Sequence, residues 1–320
     1  MECPFCTASL PDDDLFCEAC GKPLHMPTAS ADQHGCTCGA TPGEIDEDGY
    51  CGRCGKLARR PASDHIEAIL SAAFAGVSDR GQKHQRNEDR FAIRQVLNDS
   101  VIVVCDGVSS STQSELASSA IAENVAAALE AALRRHSASS PERTVRTAIE
   151  KAQAELAAAT VEGTKDTPST TVVAVMVKET DASVGWVGDS RAYWIGDDGE
   201  SHQLTLDHSW VNEVVLAGEM TREQAMHAPQ AHGITRWLGA DSGENAEPDV
   251  IHVTFTGSGY LLVCSDGLWN YAEQPDELRG LLRGNDAIEI ARGLVEFANE
   301  QGGLDNITAV VLRIVIPGNQ

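Results

Sequence analysis

Two apolar runs, each leading into an aspartate and a glycine, constrain the fold of this chain more than any other feature. Val101–Cys105 is followed by Asp106-Gly107, and Tyr260–Cys264 is followed, after one serine, by Asp266-Gly267. Apolar runs of this length that end in a turn signal predict buried strands. Each predicted strand therefore delivers a carboxylate to a turn at its end, beside the core of the protein.

Two further acidic islands, Asn87-Glu88-Asp89 and Asp305-Asn306, lie far from these in the sequence. A single Asp-Gly after a strand is most often only a turn. Several carboxylates gathered inside a fold, however, repel one another and are costly to desolvate unless hard cations offset both penalties. Because oxygen ligands favour magnesium, manganese or calcium over zinc, the four islands together predict a hydrolytic site that holds two metal ions.

The composition is that of a globular protein with about two domains. The chain has 320 residues, of which 42% are hydrophobic and 22% charged, and domains average roughly 150 residues. Its net charge of −24 disfavours binding to nucleic acid or to an anionic membrane surface. It has neither a run of about 18 apolar residues nor a basic N-terminal region followed by an apolar stretch. We therefore expect a cytoplasmic protein that binds neither nucleic acid nor a membrane.

Eight of the ten cysteines precede residue 55, in two groups of four. Paired cysteines separated by a spacer of ten to twelve residues are typical of a zinc ribbon, in which four thiolates surround one ion. Two disulfides in each group are the less favoured alternative, because the first residues do not have the pattern expected of a signal peptide. The predicted structural zinc ligands are Cys3, Cys6, Cys17 and Cys20 in ribbon 1 (residues 1–21), and Cys36, Cys38, Cys51 and Cys54 in ribbon 2 (residues 35–56).

The rest of the chain reads as a linker, residues 57–70, and one α+β domain, residues 71–318. Gln113–Arg135 is rich in alanine and leucine and predicts a long helix, and Pro141–Thr160 predicts a second one. Alternating or apolar segments on both sides of these helices predict strands. Pairs of helices that punctuate runs of adjacent strands favour a layered α+β sandwich over a doubly wound parallel sheet.

Eight segments of this domain, in this order, resemble the metal-dependent protein phosphatases, the type 2C serine/threonine family, in its bacterial form. The segments are SDRG…RNED (78–89), VVCDG (103–107), PSTT (168–171), WVGDSRAYW (186–194), LTLDHSWVNEVVLAGEMT (204–221), ITRWLG (234–239), YLLVCSDGLW (260–269) and GGLDNIT (302–308). Each segment alone is weak, but all eight in the family's order are specific. The resemblance implies a four-layer α-β-β-α sandwich, in which helices flank two central antiparallel sheets.

The resemblance also implies an activity and a set of metal ligands. The activity is removal of phosphate from serine and threonine residues of proteins by water that two Mn²⁺ or Mg²⁺ ions activate. Asp106 would bridge both ions, and Asp189 would help to hold a weaker third one, although Asp189 alone also fits a turn or capping residue. The implied ligands, direct or through water, are Asp106, the carbonyl of Gly107, Asp266, Asp305, Asp189, Glu88 and Asp89.

Two departures from the family pattern concern groups other than the metal ligands. His84 stands where the family usually has an arginine that grips the substrate phosphate, and Arg86 follows two residues later. Either residue is a candidate for the phosphate contact; a guanidinium forks onto two phosphate oxygens, whereas an imidazole offers one donor and a titratable charge. The histidine that often follows Asp106-Gly107 is replaced by Val108. His208, His227 and His232 lack i, i+4 pairing and are read as surface or flap residues.

Two other functions are open on the sequence. A pseudophosphatase would bind phosphoproteins without hydrolysing them; His84 favours it, and retention of the metal-site aspartates opposes it. Alternatively, the zinc ribbons would read nucleic acid, which the acidic loops 12–14 and 44–48 oppose. We expect the ribbons to serve as docking modules, because two full four-cysteine sets leave no open coordination position. The expected partners are phosphoproteins that serine/threonine kinases have modified.

Overall fold

The computed structural model describes residues 38–45, 51–55, 62–108, 111, 113–135, 139–159 and 167–316. The strands within these ranges are β1 (His65–Ser71), β2 (Phe74–Asp79), β3 (Arg90–Val96), β4 (Asp99–Cys105), β5 (Ser169–Thr170), β6 (Val172–Lys178), β7 (Asp181–Val187), β8 (Arg191–Gly196), β9 (Ser201–Gln203), β10 (Leu238–Gly239), β11 (Asp249–Thr254), β12 (Gly259–Cys264) and β13 (Ile307–Ile314). The α-helices are α1 (Ser114–Arg134), α2 (Pro141–Ala159), α3 (Trp210–Leu216), α4 (Arg222–Met226), α5 (Asp266–Trp269), α6 (Pro275–Leu281) and α7 (Ala287–Glu300). Short 3₁₀ turns lie at Pro42–Glu44, Ala62–Asp64 and Gly243–Ala246.

Two antiparallel sheets pack face to face at the centre of the fold. One has six strands in the order β1-β2-β13-β12-β8-β9, and the other has five in the order β11-β7-β6-β4-β3. Helices α1 and α2 cover the outer face of the five-stranded sheet, and α6 and α7 cover that of the six-stranded sheet. The predicted four-layer sandwich is therefore confirmed.

The central strands are buried on both faces, which explains their continuous apolar sequences. Along β4, Val101, Val103 and Cys105 pack towards α1 and α2, whereas Ile102 and Val104 pack between the two sheets. This alternation follows from the two-residue period of a strand. Each such fully buried aliphatic side chain contributes about 1.5–3 kcal/mol relative to an exposed one.

Helix α1 is long and apolar enough, by length and composition alone, to cross a membrane. In this fold, however, Ile121, Val125 and Leu129 are fully buried against the five-stranded sheet. The apolar face of α1 is thus part of the core between helices and sheet.

The predicted linker at residues 57–70 overlaps a strand. Strand β1 begins at His65 and pairs with β2 along its length, from His65 opposite Asp79 to Ser71 opposite Phe74. Residues 65–70 are therefore part of the six-stranded sheet. The strand was missed because it lies at the sheet edge, where partly exposed polar residues such as Glu67 interrupt the apolar pattern.

Candidate active site

Five aspartates from distant parts of the chain line one cavity of about 500 Å³. Strand register explains their convergence. Cys105, just before Asp106, lies opposite Arg90, and Cys264 lies opposite both Arg191 and Ala309. The last residues of β4 and β12 and the first residues of β8 and β13 therefore adjoin the turns that carry four of these aspartates, and all of these turns reach the cavity. Four of the cavity aspartates, Asp106, Asp189, Asp266 and Asp305, belong to the predicted metal site, and the fifth is Asp241.

The crowding of these carboxyl groups perturbs their protonation. Burial, followed by repulsion from neighbouring carboxylates, raises the pKa of Asp106 and of Asp189 well above its ordinary value. The same two causes raise the pKa of Asp266 to about 6 and that of Asp89 to about 7. Without a compensating positive charge, the ionised cluster is therefore unfavourable.

The donor atoms fit hard cations. Asp89 is fully buried, and its Oδ2 accepts hydrogen bonds from Ser265 Oγ at 2.6 Å and Thr308 Oγ1 at 2.8 Å. Its Oδ1, and Oδ1 of Asp266, are buried with no hydrogen-bond partner among the described residues. Buried carboxylate oxygens of this kind need either a proton or a cation. An all-oxygen set suits Mn²⁺ or Mg²⁺.

The PSTT segment holds the backbone of Asp106 in place. The carbonyl of Asp106 accepts hydrogen bonds from Thr170 Oγ1 and from the N–H of Thr171, both at 2.8 Å. The N–H of Asp106 donates to Thr171 Oγ1 at 3.1 Å. Thr171 Oγ1 also lies 2.9 Å from Ser190 Oγ, next to Asp189. The sequence marked this segment only as part of the family pattern; its contacts show that it joins the two aspartate-bearing turns.

Position 107 requires glycine because the backbone of the acidic island Asn87-Glu88-Asp89 approaches it closely. A Cβ at Gly107 would lie 2.8 Å from the carbonyl oxygen of Glu88 and 2.9 Å from Cβ of Ser114. That same carbonyl of Glu88 accepts a hydrogen bond from Ser118 Oγ of α1. The Glu88 and Gly107 backbones are thus packed together beside the cavity.

Asn306 ties the loop before β3 to the turn that carries Asp305. Its Nδ2 donates to the carbonyls of Arg80 at 2.7 Å and Arg86 at 2.9 Å, and its Oδ1 accepts from the N–H of Glu88 at 2.7 Å. The sequence drew attention to Asp305-Asn306 as an acidic island. The asparagine, however, acts through its amide, and the partners of that amide lie more than 200 residues away.

The two candidates for the phosphate contact lie beside the cavity rather than among the residues that line it. His84 Nε2 lies 3.1 Å from Oδ1 of Asp305. For Arg86, the backbone carbonyl is fixed by Asn306. The imidazole of His84 therefore contacts a candidate metal ligand, and the phosphate contact stays a prediction for both residues.

The opposite wall of the cavity comes from the segment between α4 and β10 and from the turn that follows β10. Its lining residues include His232, Gly233, Ile234, Trp237 and Asp241. Asp241 Oδ1 accepts hydrogen bonds from Trp237 Nε1 at 3.0 Å and from Ser169 Oγ at 3.3 Å. These contacts fasten the segment to the PSTT strand, so the wall has a defined position.

His208, predicted as a surface or flap residue, is buried, with 7% of its surface exposed. Its Nδ1 accepts a hydrogen bond from the N–H of Gly188 at 3.1 Å, so Nε2 carries the proton and donates to Asp249 Oδ2 at 2.9 Å. Burial lowers the pKa of His208. The ring therefore braces the turn that carries Asp189, a role that depends on a partner 41 residues away.

A buried arginine supports the Asp189 turn from the other side. Arg191 donates to Asp207 through Nε at 2.9 Å and Nη2 at 2.6 Å, and its guanidinium stacks 3.7 Å from the ring centroid of Trp269. Trp269 Nε1 in turn donates to the carbonyl of Asp189 at 3.0 Å. Sequence reasoning missed this arrangement, although Arg191 and Trp269 both lie in recognised segments.

Three of the predicted zinc ligands lie together. The sulfur atoms of Cys38, Cys51 and Cys54 are all within 4.8 Å of one another, and none of the three cysteines forms a disulfide. The N–H of Gly55 donates to the carbonyl of Cys51 at 2.8 Å, which closes a tight turn. These spacings suit thiolates around one tetrahedral ion. Cys36 and the ribbon 1 cysteines (Cys3, Cys6, Cys17 and Cys20) lie outside the described residues.

The sequence of this chain is similar to those of known protein phosphatases. The family described as Protein phosphatase 2C matches residues 78–304. The serine/threonine phosphatase stp of Listeria monocytogenes is 30% identical over 242 residues, which cover 74% of this chain and 93% of the relative. Protein phosphatase PhpP of Streptococcus pneumoniae is 37% identical over 146 residues, 45% of this chain and 58% of the relative.

Solved structures with the same arrangement of sheets and helices include two from other bacteria. The serine/threonine phosphatase Stp1 from Staphylococcus aureus superposes with a TM-score of 0.64 at 29% identity, covering 78% of this chain and 98% of that one. The serine/threonine phosphatase PstP/Ppp of Mycobacterium tuberculosis gives a TM-score of 0.63 at 27% identity, covering 76% and 98%.

Proposed function

Because this chain belongs to the protein phosphatase 2C family and is a serine/threonine phosphatase, we propose that it hydrolyses phosphoserine and phosphothreonine in proteins with the help of Mn²⁺ or Mg²⁺. The observation that carries the metal dependence is the cluster of aspartates around one cavity, with two buried carboxylate oxygens that find no hydrogen-bond partner in the described part of the chain. When bound, two such ions lower the pKa of a water molecule between them and neutralise charge on the phosphate. No serine or cysteine nucleophile is required.

The proposed metal ligands come from turns at the strand ends of both sheets and from the loop before β3. Asp106, which the PSTT strand holds, would contact both ions, and the adjacent carbonyl of Gly107 would contact one of them. Asp266 and Asp305, from the opposite sheet, would complete the protein ligands of the other ion. The remaining proposed ligands are Glu88 and Asp89, which act directly or through bound water, and Asp189, which helps to hold a weaker third ion.

The residues around these ligands orient the phosphoester and the carboxylates. Ser265 and Thr308 donate hydrogen bonds to Oδ2 of Asp89, so its Oδ1 is the oxygen that would accept a hydrogen bond from water on a metal ion. The phosphoester enters between the PSTT strand and the wall formed by His232 and Trp237. Arg86 or His84 then contacts the phosphate from the side of the cavity where Asp305 lies.

The N-terminal cysteines form part of the proposal. We assign structural zinc to both predicted ribbons, supported by the three sulfur atoms of Cys38, Cys51 and Cys54 in ribbon 2, and a docking role to the module as a whole. The substrates are products of serine/threonine protein kinases, and the enzyme works in the cytoplasm. The pseudophosphatase alternative is not favoured, because the carboxylate cluster is costly to keep unless it binds metal.

Phosphate release from p-nitrophenyl phosphate and from a phosphothreonine peptide, with and without Mn²⁺, tests the proposal. We expect turnover of both substrates with Mn²⁺, loss of turnover in excess chelator, and a loss of about a thousandfold, or roughly 4 kcal/mol, in Asp106→Asn. The matched control is Asp276→Asn in the first turn of α6, an exposed carboxylate remote from the cavity. Substantial Mn²⁺-dependent turnover in Asp106→Asn would overturn the metal assignment.

A further inference from the structure

A buried carboxylate lies behind the candidate metal ligands, outside the cavity. Asp64 is the last residue of the Ala62–Asp64 turn, directly before β1, and only 2% of its surface is exposed. The β1–β2 register places His65 opposite Asp79, so Asp64 lies opposite Arg80. The N–H of Arg80 donates to the carbonyl of Asp64 at 2.8 Å. The first residue before the sheet is thus fixed against the loop that follows β2.

The side chains of Asp64 and Arg80 form an ion pair without a hydrogen bond. Arg80 Nε lies 3.7 Å from Asp64 Oδ2. Neither carboxylate oxygen of Asp64 has a hydrogen-bond partner among the described residues. Because both groups are shielded from water, each charge depends on the other, and removal of one partner leaves an uncompensated charge.

Arg80 links this ion pair to the candidate metal site. Its Nη1 donates to the carbonyl of His84, and its own carbonyl accepts from Asn306 at 2.7 Å. His84 Nε2 in turn lies 3.1 Å from Asp305 Oδ1. A continuous chain of contacts therefore runs from Asp64 through Arg80 and His84 to Asp305.

A second arginine holds the other end of the same loop. Arg90 Nη1 donates to the carbonyls of Asn87 at 2.8 Å and Asp89 at 2.6 Å. The carboxylates of Asp89, Glu115 and Asp64 act electrostatically on this guanidinium. The charge of Asp64 thus acts on both cations that anchor the loop bearing His84 and Glu88.

We propose that Asp64 is a positioning residue of the catalytic centre, whose charge fixes Arg80 so that His84 stays in contact with Asp305. The inference rests on the proposed function, since it treats Asp305 as a metal ligand. Groups that orient a ligand from outside the coordination sphere set its affinity for the metal. Through Asp64, the turn directly before β1 therefore helps to shape the active site.

The test compares Mn²⁺ binding in full-length proteins that differ at Asp64. Isothermal titration calorimetry gives the Mn²⁺ dissociation constant, and p-nitrophenyl phosphate turnover gives the Mn²⁺ concentration for half-maximal rate. In Asp64→Asn we expect both to rise about three- to tenfold, less than the roughly 10- to 100-fold typical of a group that touches a ligand directly. The matched control is Glu67→Gln, a carboxylate of the adjoining strand β1 paired with Arg292, which should bind Mn²⁺ as the wild type does.

A double-mutant cycle separates positioning from general loss of stability. In the His84→Ala background, Asp64→Asn should change the Mn²⁺ dissociation constant by less than about twofold, because the route to Asp305 is already broken. Independent, multiplicative effects of the two substitutions would overturn the inference. If Asp64→Asn does not fold, Arg80→Lys keeps the charge beside Asp64 but loses the contact to His84, and should raise the dissociation constant equally.

The same measurements distinguish the inference from the proposed function. Wild-type turnover that needs neither Mn²⁺ nor Mg²⁺ would refute the metal-dependent mechanism. Normal metal dependence in the wild type with unchanged Mn²⁺ binding in Asp64→Asn and Arg80→Lys would refute only the role of Asp64.

Discussion

The aspartates of the cavity differ in how the surrounding residues hold them, and that difference sets their expected importance. Asp106 is fixed through three backbone contacts to Thr170 and Thr171 and lies at the junction of the two sheets. Asp189 lies in a turn braced from outside, by His208 through Gly188 and by Trp269. Asp106, which would contact both proposed ions, should therefore be indispensable for activity. Asp189, which would hold a weaker third ion, should not be.

We therefore expect Asp189→Asn to raise the Mn²⁺ concentration for half-maximal rate about tenfold, because a single weak ligand or its bound water is lost. Turnover at saturating Mn²⁺ should fall but persist. Titration of p-nitrophenyl phosphate hydrolysis with Mn²⁺ measures both quantities, with Asp106→Asn as the inactive reference. A complete loss of turnover at every Mn²⁺ concentration would place Asp189 among the principal ligands.

His84 and Arg86 should affect different kinetic constants. Because the imidazole of His84 contacts Asp305, His84→Ala should raise the Mn²⁺ requirement about tenfold or more and leave KM for the phosphopeptide nearly unchanged. Because a guanidinium binds phosphate through two parallel hydrogen bonds, Arg86→Ala should raise KM about tenfold and leave the Mn²⁺ requirement unchanged.

Steady-state kinetics at saturating Mn²⁺ and Mn²⁺ titrations at fixed substrate separate these effects. If KM rises instead in His84→Ala, and wild-type KM also increases with pH, His84 is the phosphate contact as an imidazolium. His84→Arg should then lower KM and remove the pH dependence.

At the level of secondary structure, the sequence predicts the end of a strand where both faces of that strand are buried. The apolar runs before Asp106 and Asp266 gave β4 and β12, because a strand without a solvent face has no polar positions. Strand β1 was missed because its charged residues pair with partners distant in sequence, such as Arg292, 225 residues from Glu67. His208 was misread for the same reason, since its burial depends on Asp249. Contacts formed only by the tertiary fold leave no local pattern.

Helix α5 shows how tightly the second aspartate-bearing turn is packed. A Cβ at Gly267 would lie 1.9 Å from the carbonyl oxygen of Asn306. Gly267→Ala should therefore displace the Asp305-Asn306 turn and cost about 3 kcal/mol, together with most of the activity. Gly280→Ala in α6 is the control, because a Cβ there has open space and should stabilise the helix by roughly 0.5–1 kcal/mol. Chemical unfolding of both variants measures the difference, and equal stabilities would contradict the close approach.

The pairing of β1 with β2 should depend on pH through His65. Hydrogen bonds to Asp79 and Glu67 raise the pKa of His65 to about 9, above its ordinary value of about 6.5. The stabilisation is therefore fully present below pH 6.5 or so and is lost as pH rises through about 9. Since the ring is half-exposed, solvent screening limits the effect to about 1 kcal/mol or less.

Comparison of wild type with His65→Gln isolates this contribution from other titrations. The wild type should be the more stable protein at pH 6, and the difference should shrink towards zero by about pH 10. Chemical unfolding at each pH measures it. A difference that stays constant or grows with pH would show that His65 is not held as a cation.

At the scale of the whole molecule, the catalytic unit is self-sufficient in its hydrophobic cores. The three main buried clusters, two between sheet and helices and one between the sheets, draw their residues from Ala68 to Ile316. Among the residues that the structure describes, the cluster around Cys51 in the predicted ribbon 2 contains Ala40 and Ile45 besides. So small a cluster supplies little folding free energy, and bound zinc would supply the rest.

A chain shortened to begin at Pro61 should consequently fold and hydrolyse p-nitrophenyl phosphate at nearly the wild-type rate, because it keeps Asp64, β1 and all three main clusters. The full chain should contain about two zinc ions, one for each four-cysteine set, and the shortened chain none. A chain that begins at Ile66 lacks Asp64 and His65 and should need more Mn²⁺ than the one that begins at Pro61. Metal analysis and Mn²⁺ titration of the three proteins measure these differences. If the chain beginning at Pro61 is folded but inactive towards the small ester, the cysteine-rich region contributes to the catalytic centre itself rather than serving as a docking module.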